Sequence, residues 1–259
     1  MVGVYSFFAD ASQAAAQAEM LSHLMPPVAR GLFDSRARAQ AAILAGQVHA
    51  DGKPVAKPSE EVAEDAAIEA RDIHPFVSRG GLKMEAALEA FAIDPAGCVA
   101  LDVGASTGGF TDVLLRRGAK RVYAVDVGHD QFHARLRGHP DVVLLEGTDA
   151  RSLDREKVPE PVDLVVIDVS FISLALVLPA ALALAAPGAR LAALVKPQFE
   201  AGPAHVRKGI VRDAAIHAAV CARIRETVAG LGWRVAGLIP SPITGGDGNH
   251  EFLIGAVKP

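Results

Sequence analysis

Leu101-Asp102-Val103-Gly104-Ala105-Ser106-Thr107-Gly108-Gly109-Phe110 is the stretch on which the fold of this chain turns. Its first residues close an apolar run, Val99–Val103. Three glycines then loosen the backbone, and the residues from Phe110 onward follow a helical spacing. This reads as strand, glycine loop, helix, a turn whose backbone can approach a ligand closely. Downstream, apolar runs at 122–125, 142–145, 162–167 and 191–195 alternate with helical patterns. Strands alternating with helices predict a parallel sheet in an α/β, Rossmann-like domain. The last two runs, 233–239 and 252–257, are joined by a loop with no helical spacer, which predicts an antiparallel pair at the sheet edge.

The loop also narrows the ligand. A dinucleotide fingerprint needs glycine at its first, third and sixth positions; Ser106 takes the third here, and Asp102 precedes the loop. The Asp-x-Gly-x-x-x-Gly pattern instead resembles the first motif of class I methyltransferases that use S-adenosyl-L-methionine. Asp102, Gly104, Ser106, Gly108, Gly109 and Phe110 are therefore candidate cofactor residues. Asp126 ends the next strand, and its two acceptor oxygens suit a vicinal diol such as a ribose. Asp149 follows the third strand within reach of an adenine amino group. Each has a plainer reading: turn glycines, a loop-capping Asp102, a solvated Asp149.

Four charged residues far apart in sequence form a second set. Asp168 ends Val162–Ile167, Lys196 ends the run 191–195, and Glu251 opens Phe252–Val257, while Lys83 lies in Ser78-Arg79-Gly80-Gly81-Leu82-Lys83. Open α/β sheets bind ligands at such strand ends. The plainer alternative is two salt bridges at the rim of the sheet. Taken with Val166-Ile167-Asp168-Val169-Ser170-Phe171-Ile172-Ser173, Leu194-Val195-Lys196-Pro197-Gln198-Phe199-Glu200 and Gly248-Asn249-His250-Glu251-Phe252-Leu253, the blocks closely resemble the TlyA (haemolysin A-like) family. The resemblance spans roughly residues 29 to 258.

That resemblance implies an FtsJ-like class I methyltransferase domain with a mostly parallel seven-stranded sheet, joined to a small S4-like α+β module. It implies S-adenosyl-L-methionine as cofactor, no metal, and ribosomal RNA or a ribosomal subunit as partner, with a cytidine ribose 2′-hydroxyl as target. Lys83, Asp168, Lys196 and Glu251 become a catalytic tetrad, Asp168 also bordering the cofactor. A 2′-hydroxyl is a weak nucleophile whose proton must leave during attack, and a lysine accepts it only when neutral. Lys196 is the candidate base, oriented by Asp168; Lys83 is the second cation that favours its neutral form, and Glu251 holds Lys83 or the sugar. His250 reads as a loop histidine, because no second histidine or cysteine stands at metal-ligand spacing. Ser170 and Ser173 either line the site or start a helix.

Three segments are expected: an Ala-rich leader at 1–28 ending in Pro26-Pro27, a module at 29–75, and the methyltransferase domain at 77–259. In the module Ser35 caps a helix over 36–45, Gly46 stops it, and a short strand with an Asp51-Gly52 turn follows. Arg30, Arg36, Arg38, Lys53 and Lys57 oppose only Asp34 and Asp51 between positions 28 and 58, a local balance of 5 − 2 = +3. The similarity to S4 domains makes Arg36, Arg38 and Lys53 phosphate contacts, which position RNA without reading its sequence. One departure stands out: family members begin near an Arg-Leu-Asp-x-x-Leu segment, where this chain has Leu21-Ser22-His23-Leu24-Met25-Pro26-Pro27-Val28. Arg207 and Lys208 are a further RNA-facing edge or a solvated loop.

Composition sets outer bounds. The net charge of −4 argues against coating nucleic acid by bulk electrostatics, so any RNA site must be a local patch. Two cysteines, Cys98 and Cys221, in apolar surroundings exclude a disulfide framework and fit a reducing cytoplasm. No Lys or Arg precedes Arg30, so the basic flank of a secretory signal is missing. The longest apolar stretch, 174–186, contains Pro179 and is shorter than the ~20 residues of a membrane span, so a buried helix is expected. Two rival functions follow from the same resemblance: a non-enzymatic RNA binder that retains the fold, and a membrane-active haemolysin. The second finds neither a span nor a basic amphipathic segment.

Overall fold

The computed structural model describes residues 32–33, 36–60, 62–63, 65–70, 74–245 and 248–259, without the side chains of 36–38. The leader at 1–28, the Ser35 cap and the side chains of Arg36 and Arg38 lie outside the described residues. Contacts divide the chain into a unit ending at Pro75 and a unit from Phe76 to Pro259.

In the first unit, helix α1 (Arg36–Leu44) packs on a three-stranded antiparallel sheet of order β2-β1-β3. The strands are β1 (Val48–Ala50), β2 (Lys53–Pro54) and β3 (Ile68–Ala70). Ala39, Ala42 and Ile43 of the helix meet Phe33, Val48 and Val55 in a small core. The helix stops one residue before the expected Ala45, and Gly46 supplies the left-handed exit at φ +69°. Asp51 and Gly52 both have positive φ, the conformation a two-residue hairpin between twisted strands requires. Lys53 is exposed on β2.

The second unit holds a seven-stranded sheet of order β6-β5-β4-β7-β8-β10-β9. Its strands are β4 (Val99–Val103), β5 (Arg121–Val125), β6 (Val142–Leu145), β7 (Val162–Ile167), β8 (Ala185–Val195), β9 (Arg234–Pro240) and β10 (Phe252–Val257). The pairs from β6 through β8 are parallel; β10 is antiparallel to both β8 and β9, so the edge strand is β9 and its partner lies inside the sheet. Helices α2 (Gly80–Ala90) and α3 (Gly109–Arg116) cover one face, where Met84, Leu88, Phe110 and Leu114 meet Leu164, Val166 and Leu194. The other face carries α4 (Leu174–Ala183) and α6 (Ala214–Gly230), with Leu178, Leu182, Val220 and Ile224 against Val165, Ile167 and Leu191. Burial on both faces is why these strands read as unbroken apolar runs rather than alternating ones.

One boundary departs from expectation. The apolar stretch 174–186 is a buried helix only to Ala183; Ala185 and Ala186 already belong to β8. Apolarity alone does not separate a buried helix from a buried strand, and here sheet pairing claims the final residues. A short helix, α5 (Pro197–Glu200), follows β8 at once. No helix among the described residues is long and apolar enough to cross a membrane.

Candidate active site

Strand β4 has β5 on one side and β7 on the other, so the chain leaves it in opposite directions, and a crevice opens at the carboxyl ends of these strands. A cavity of about 500 Å³ lies there, lined by Gly104, Ser106, Asp126, Asp149 and Asp168 among others. Gly104 sits at φ +84°, and a Cβ on it would stand 2.6 Å from the carbonyl oxygen of Asp168. Only glycine lets the loops after β4 and β7 meet so closely. Asp126 is fixed as an acceptor: Ser106 N–H donates to Oδ2 and Gly128 N–H to Oδ1, each at 2.7 Å.

Four residues expected at the cofactor do not line this cavity, each for a visible reason. Phe110 is buried in the core between α2, α3 and the sheet. A Cβ on Gly108 would strike Leu136 and Phe132, and one on Gly109 would strike Ser78 Oγ, so these two glycines admit packing partners behind the loop. Asp102 is fully buried beneath it, accepting from the Thr111 hydroxyl at 2.6 Å, with its other oxygen unpartnered among the described residues. Burial pushes its carboxyl up to about 7, against the Thr111 hydrogen bond and with help from Asp168 and Asp126. Spacing showed which residues share the loop; it did not show which way each one faces.

Asp149 borders the cavity, but its carboxylate is already held. Arg151 donates to it from Nε at 3.0 Å and from a terminal nitrogen at 2.5 Å, and the Arg151 N–H adds 2.9 Å. Those hydrogen bonds hold its carboxyl down at about 2. Arg151 also lines the cavity, and no motif pointed to it.

The four charged residues fall into two ion pairs. Lys196 Nζ stands 2.6 Å from Asp168 Oδ1 and donates to Ser170 Oγ at 2.9 Å. Lys83 Nζ donates to Glu251 Oε2 at 2.5 Å. The register explains the gathering: Phe252 pairs with Val195, and Ile167 with Ala193, so β7, β8 and β10 deliver Asp168, Lys196 and Glu251 at one edge of the sheet. Lys83 reaches Glu251 from α2. Lys83, Lys196 and Glu251 are all buried, whereas Asp168 is partly exposed and borders the cavity. The rim salt bridges and the expected tetrad thus involve the same four residues.

Residues 76–258 match the family model described as FtsJ-like methyltransferase. This chain belongs to the FtsJ-like methyltransferases. The methyltransferase is 46% identical over 230 residues to the 16S/23S rRNA (cytidine-2'-O)-methyltransferase TlyA of Mycobacterium tuberculosis, covering 88% of this chain and 86% of that protein. It is 37% identical to Hemolysin A of Brachyspira hyodysenteriae, with coverage of 86% and 94%. A solved structure of a protein from Streptococcus thermophilus superposes with a TM-score of 0.73 at 39% identity, covering 93% of this chain and 87% of that one. The TlyA resemblance and the seven-stranded class I fold read from the sequence are borne out.

One further residue of the methyltransferase, Phe171, lines the cavity, and Ser173 does not. Ser173 caps α4 by accepting from Ala175 N–H and donates to Glu200, so of the two serines only Ser170 lines the cavity. Phe171, also at the cavity, is 91% exposed, has φ +64°, and its ring lies 5.1 Å from that of Phe199. A bare aromatic ring on a strained backbone carries a cost that packing does not explain. His250 is exposed, 5.9 Å ring to ring from His217.

Proposed function

We propose that this methyltransferase transfers the methyl group of S-adenosyl-L-methionine to a ribose 2′-hydroxyl in ribosomal RNA, at a cytidine. The observation that carries the reading is the delivery of Lys196 with Asp168, and of Glu251 with Lys83, to one sheet edge beside a cavity of cofactor size. TlyA of Mycobacterium tuberculosis, which is named for this reaction, supports the choice of substrate.

The residues present fit the cofactor. Asp126 offers a carboxylate pre-oriented by two backbone N–H groups for the ribose diol, and Gly104 leaves room beside Asp168. Asp149 keeps lone pairs for an adenine amino group only beyond those that Arg151 occupies. The cofactor supplies an electrophilic methyl carbon on a sulfonium. Lys196, having first released its own proton to solvent through the cavity, takes the proton of the 2′-hydroxyl as that oxygen attacks, Asp168 and Ser170 fix the direction of its amine, and Glu251 holds Lys83. Phe171 offers a flat apolar face beside the reacting sugar, suited to a base drawn out of its stack.

The unit ending at Pro75 is read as an S4-like module that docks on RNA through Arg36, Arg38 and Lys53, and an intact ribosomal subunit is the proposed particle. The test uses the chemistry of the product. A 2′-O-methylated ribose cannot attack its own 3′ phosphate, so alkaline hydrolysis of RNA treated with enzyme and cofactor should leave one gap in an otherwise even ladder. An unbroken ladder with methyl groups incorporated would place the methyl on a base and overturn the ribose assignment.

A further inference from the structure

Between α5 and α6 the chain forms a tight hairpin: Arg207 N–H donates to Ile210 O and Ile210 N–H to Arg207 O, both at 3.0 Å. Lys208 and Gly209 make its tip, at φ +51° and +77°. Arg207 and Lys208 are exposed, as is Arg212 at the base, and none has an ion-pair partner among the described residues. The adjoining carboxylate, Asp213, is turned to capping α6 by accepting from Ala215 N–H at 2.8 Å. Elsewhere in this unit some exposed arginines are neutralised, Arg117 by Glu85, Arg137 by Glu146 and Arg151 by Asp149, while Arg190, Arg225 and Arg234 stand singly without an ion-pair partner among the described residues. What sets Arg207, Lys208 and Arg212 apart is that three such cations cluster within six residues of a chain whose net charge is −4.

The hairpin is also anchored to the candidate active site. Asn249, 2% exposed, accepts from Val211 N–H through Oδ1 at 3.1 Å and donates through Nδ2 to Gly209 O at 2.8 Å. His217 Nε2 meets Val211 O at 2.9 Å from the other side. Asn249 stands two residues before Glu251, roughly 7 Å of extended chain, and Lys208 is three residues, roughly 10 Å, from Val211. A loop merely kept soluble by its charges needs no buried amide stapling it to the strand that carries Glu251. Rigid cations held at a fixed distance from a reacting sugar fit a polyanion whose phosphates run past that sugar.

We infer that Arg207, Lys208 and Arg212 form a phosphate-docking prong on the methyltransferase unit itself, held in register with Glu251 by Asn249, and that it grips the RNA backbone beside the target nucleotide. This rests on the RNA reading above and adds a second RNA contact, separate from the unit ending at Pro75. The test is steady-state methylation of protein-free ribosomal RNA by the full chain and by an Arg207→Ala, Lys208→Ala, Arg212→Ala variant, across a salt series. The variant should show a raised KM for RNA and an unchanged kcat. Its log–log salt slope should be shallower by about 2, since each lost phosphate contact removes roughly 0.7–0.9. Cofactor affinity and thermal midpoint should match wild type. Asn249→Ala, which keeps all three charges, should also raise KM.

Transfer by the triple variant with wild-type KM and salt slope would overturn the prong. Where the wild type methylates both substrates, a defect seen on intact subunits and never on protein-free RNA would do so too, because the partner would then be a ribosomal protein. Failure of the wild-type chain to methylate either protein-free RNA or intact subunits would overturn the underlying reading instead.

Discussion

The two lysine–carboxylate pairs of this methyltransferase look alike in sequence and differ in their surroundings. Lys83–Glu251 is closed in, with side chains 10% and 3% exposed, and Gly245 packs so near that a Cβ there would stand 2.6 Å from Glu251 Oε1. Lys196–Asp168 is open on one side: Asp168 keeps 19% of its side chain exposed, and Ser170 gives the amine a second partner at the cavity. On the proposed reading it is the open pair, at the cavity, that exchanges a proton. The closed pair is a fixed charge arrangement whose components depend on each other. We therefore read the proposed tetrad as a working half and a scaffolding half, which substitutions should separate.

The largest effect is expected at the open pair. Lys196→Ala should slow methyl transfer by roughly 10²–10⁴-fold, the usual worth of a general base, with cofactor affinity nearly intact. Single-turnover transfer and calorimetric titration check the two halves of that statement. Near wild-type transfer would make Lys196 a positioning group and erase the distinction.

At the closed pair the expected loss is first in stability. Lys83→Ala leaves Glu251 buried and unpaired, and should cost about 3–5 kcal/mol in denaturant unfolding. Replacing both, with Lys83→Met and Glu251→Leu, should recover most of that stability without recovering activity. If the single variant unfolds like wild type, the pair is not the scaffold described here.

Asp102 sharpens the contrast, being a carboxylate one strand away from Asp168 with a threonine hydroxyl in place of a lysine. Its folded-state value of about 7 lies above the ordinary 3.8, so its contribution to stability is present below about pH 4 and is lost as pH rises to about 7. Asp102→Asn removes that titration. Wild type should lose stability relative to the variant across this window, by at most about 4 kcal/mol at 1.36 kcal/mol per unit. Parallel pH dependences in the two proteins would show that Asp102 is ionised at little cost.

The smallest effect is expected outside both pairs. Asp126→Ala should weaken S-adenosyl-L-methionine binding by about 1–3 kcal/mol, the cost of leaving polar groups without a partner, and leave the tetrad untouched. Unchanged affinity by calorimetry would remove Asp126 from the cofactor site.

Much of this was legible without coordinates, because the signals are local. The glycine loop after Val99–Val103, the apolar runs alternating with helices, and the Asp51-Gly52 hairpin follow from backbone preference and hydrophobic period over a few residues. Charges at the ends of three such runs placed Asp168, Lys196 and Glu251 at the rim, since a parallel sheet aligns its carboxyl ends and an antiparallel strand begins where its neighbour finishes. What the chain could not announce is who meets whom. The partnership of Lys83 with Glu251 spans 168 positions and was expected only through the family resemblance, as one of two options, and Arg151 closing on Asp149 follows no motif. The sorting of one loop into Ser106 at the cavity, Phe110 in the core and Asp102 beneath both is equally invisible in spacing. Secondary structure answers to neighbours in sequence. Burial, pairing and protonation answer to neighbours in space, and those were decided only when the sheet closed its register.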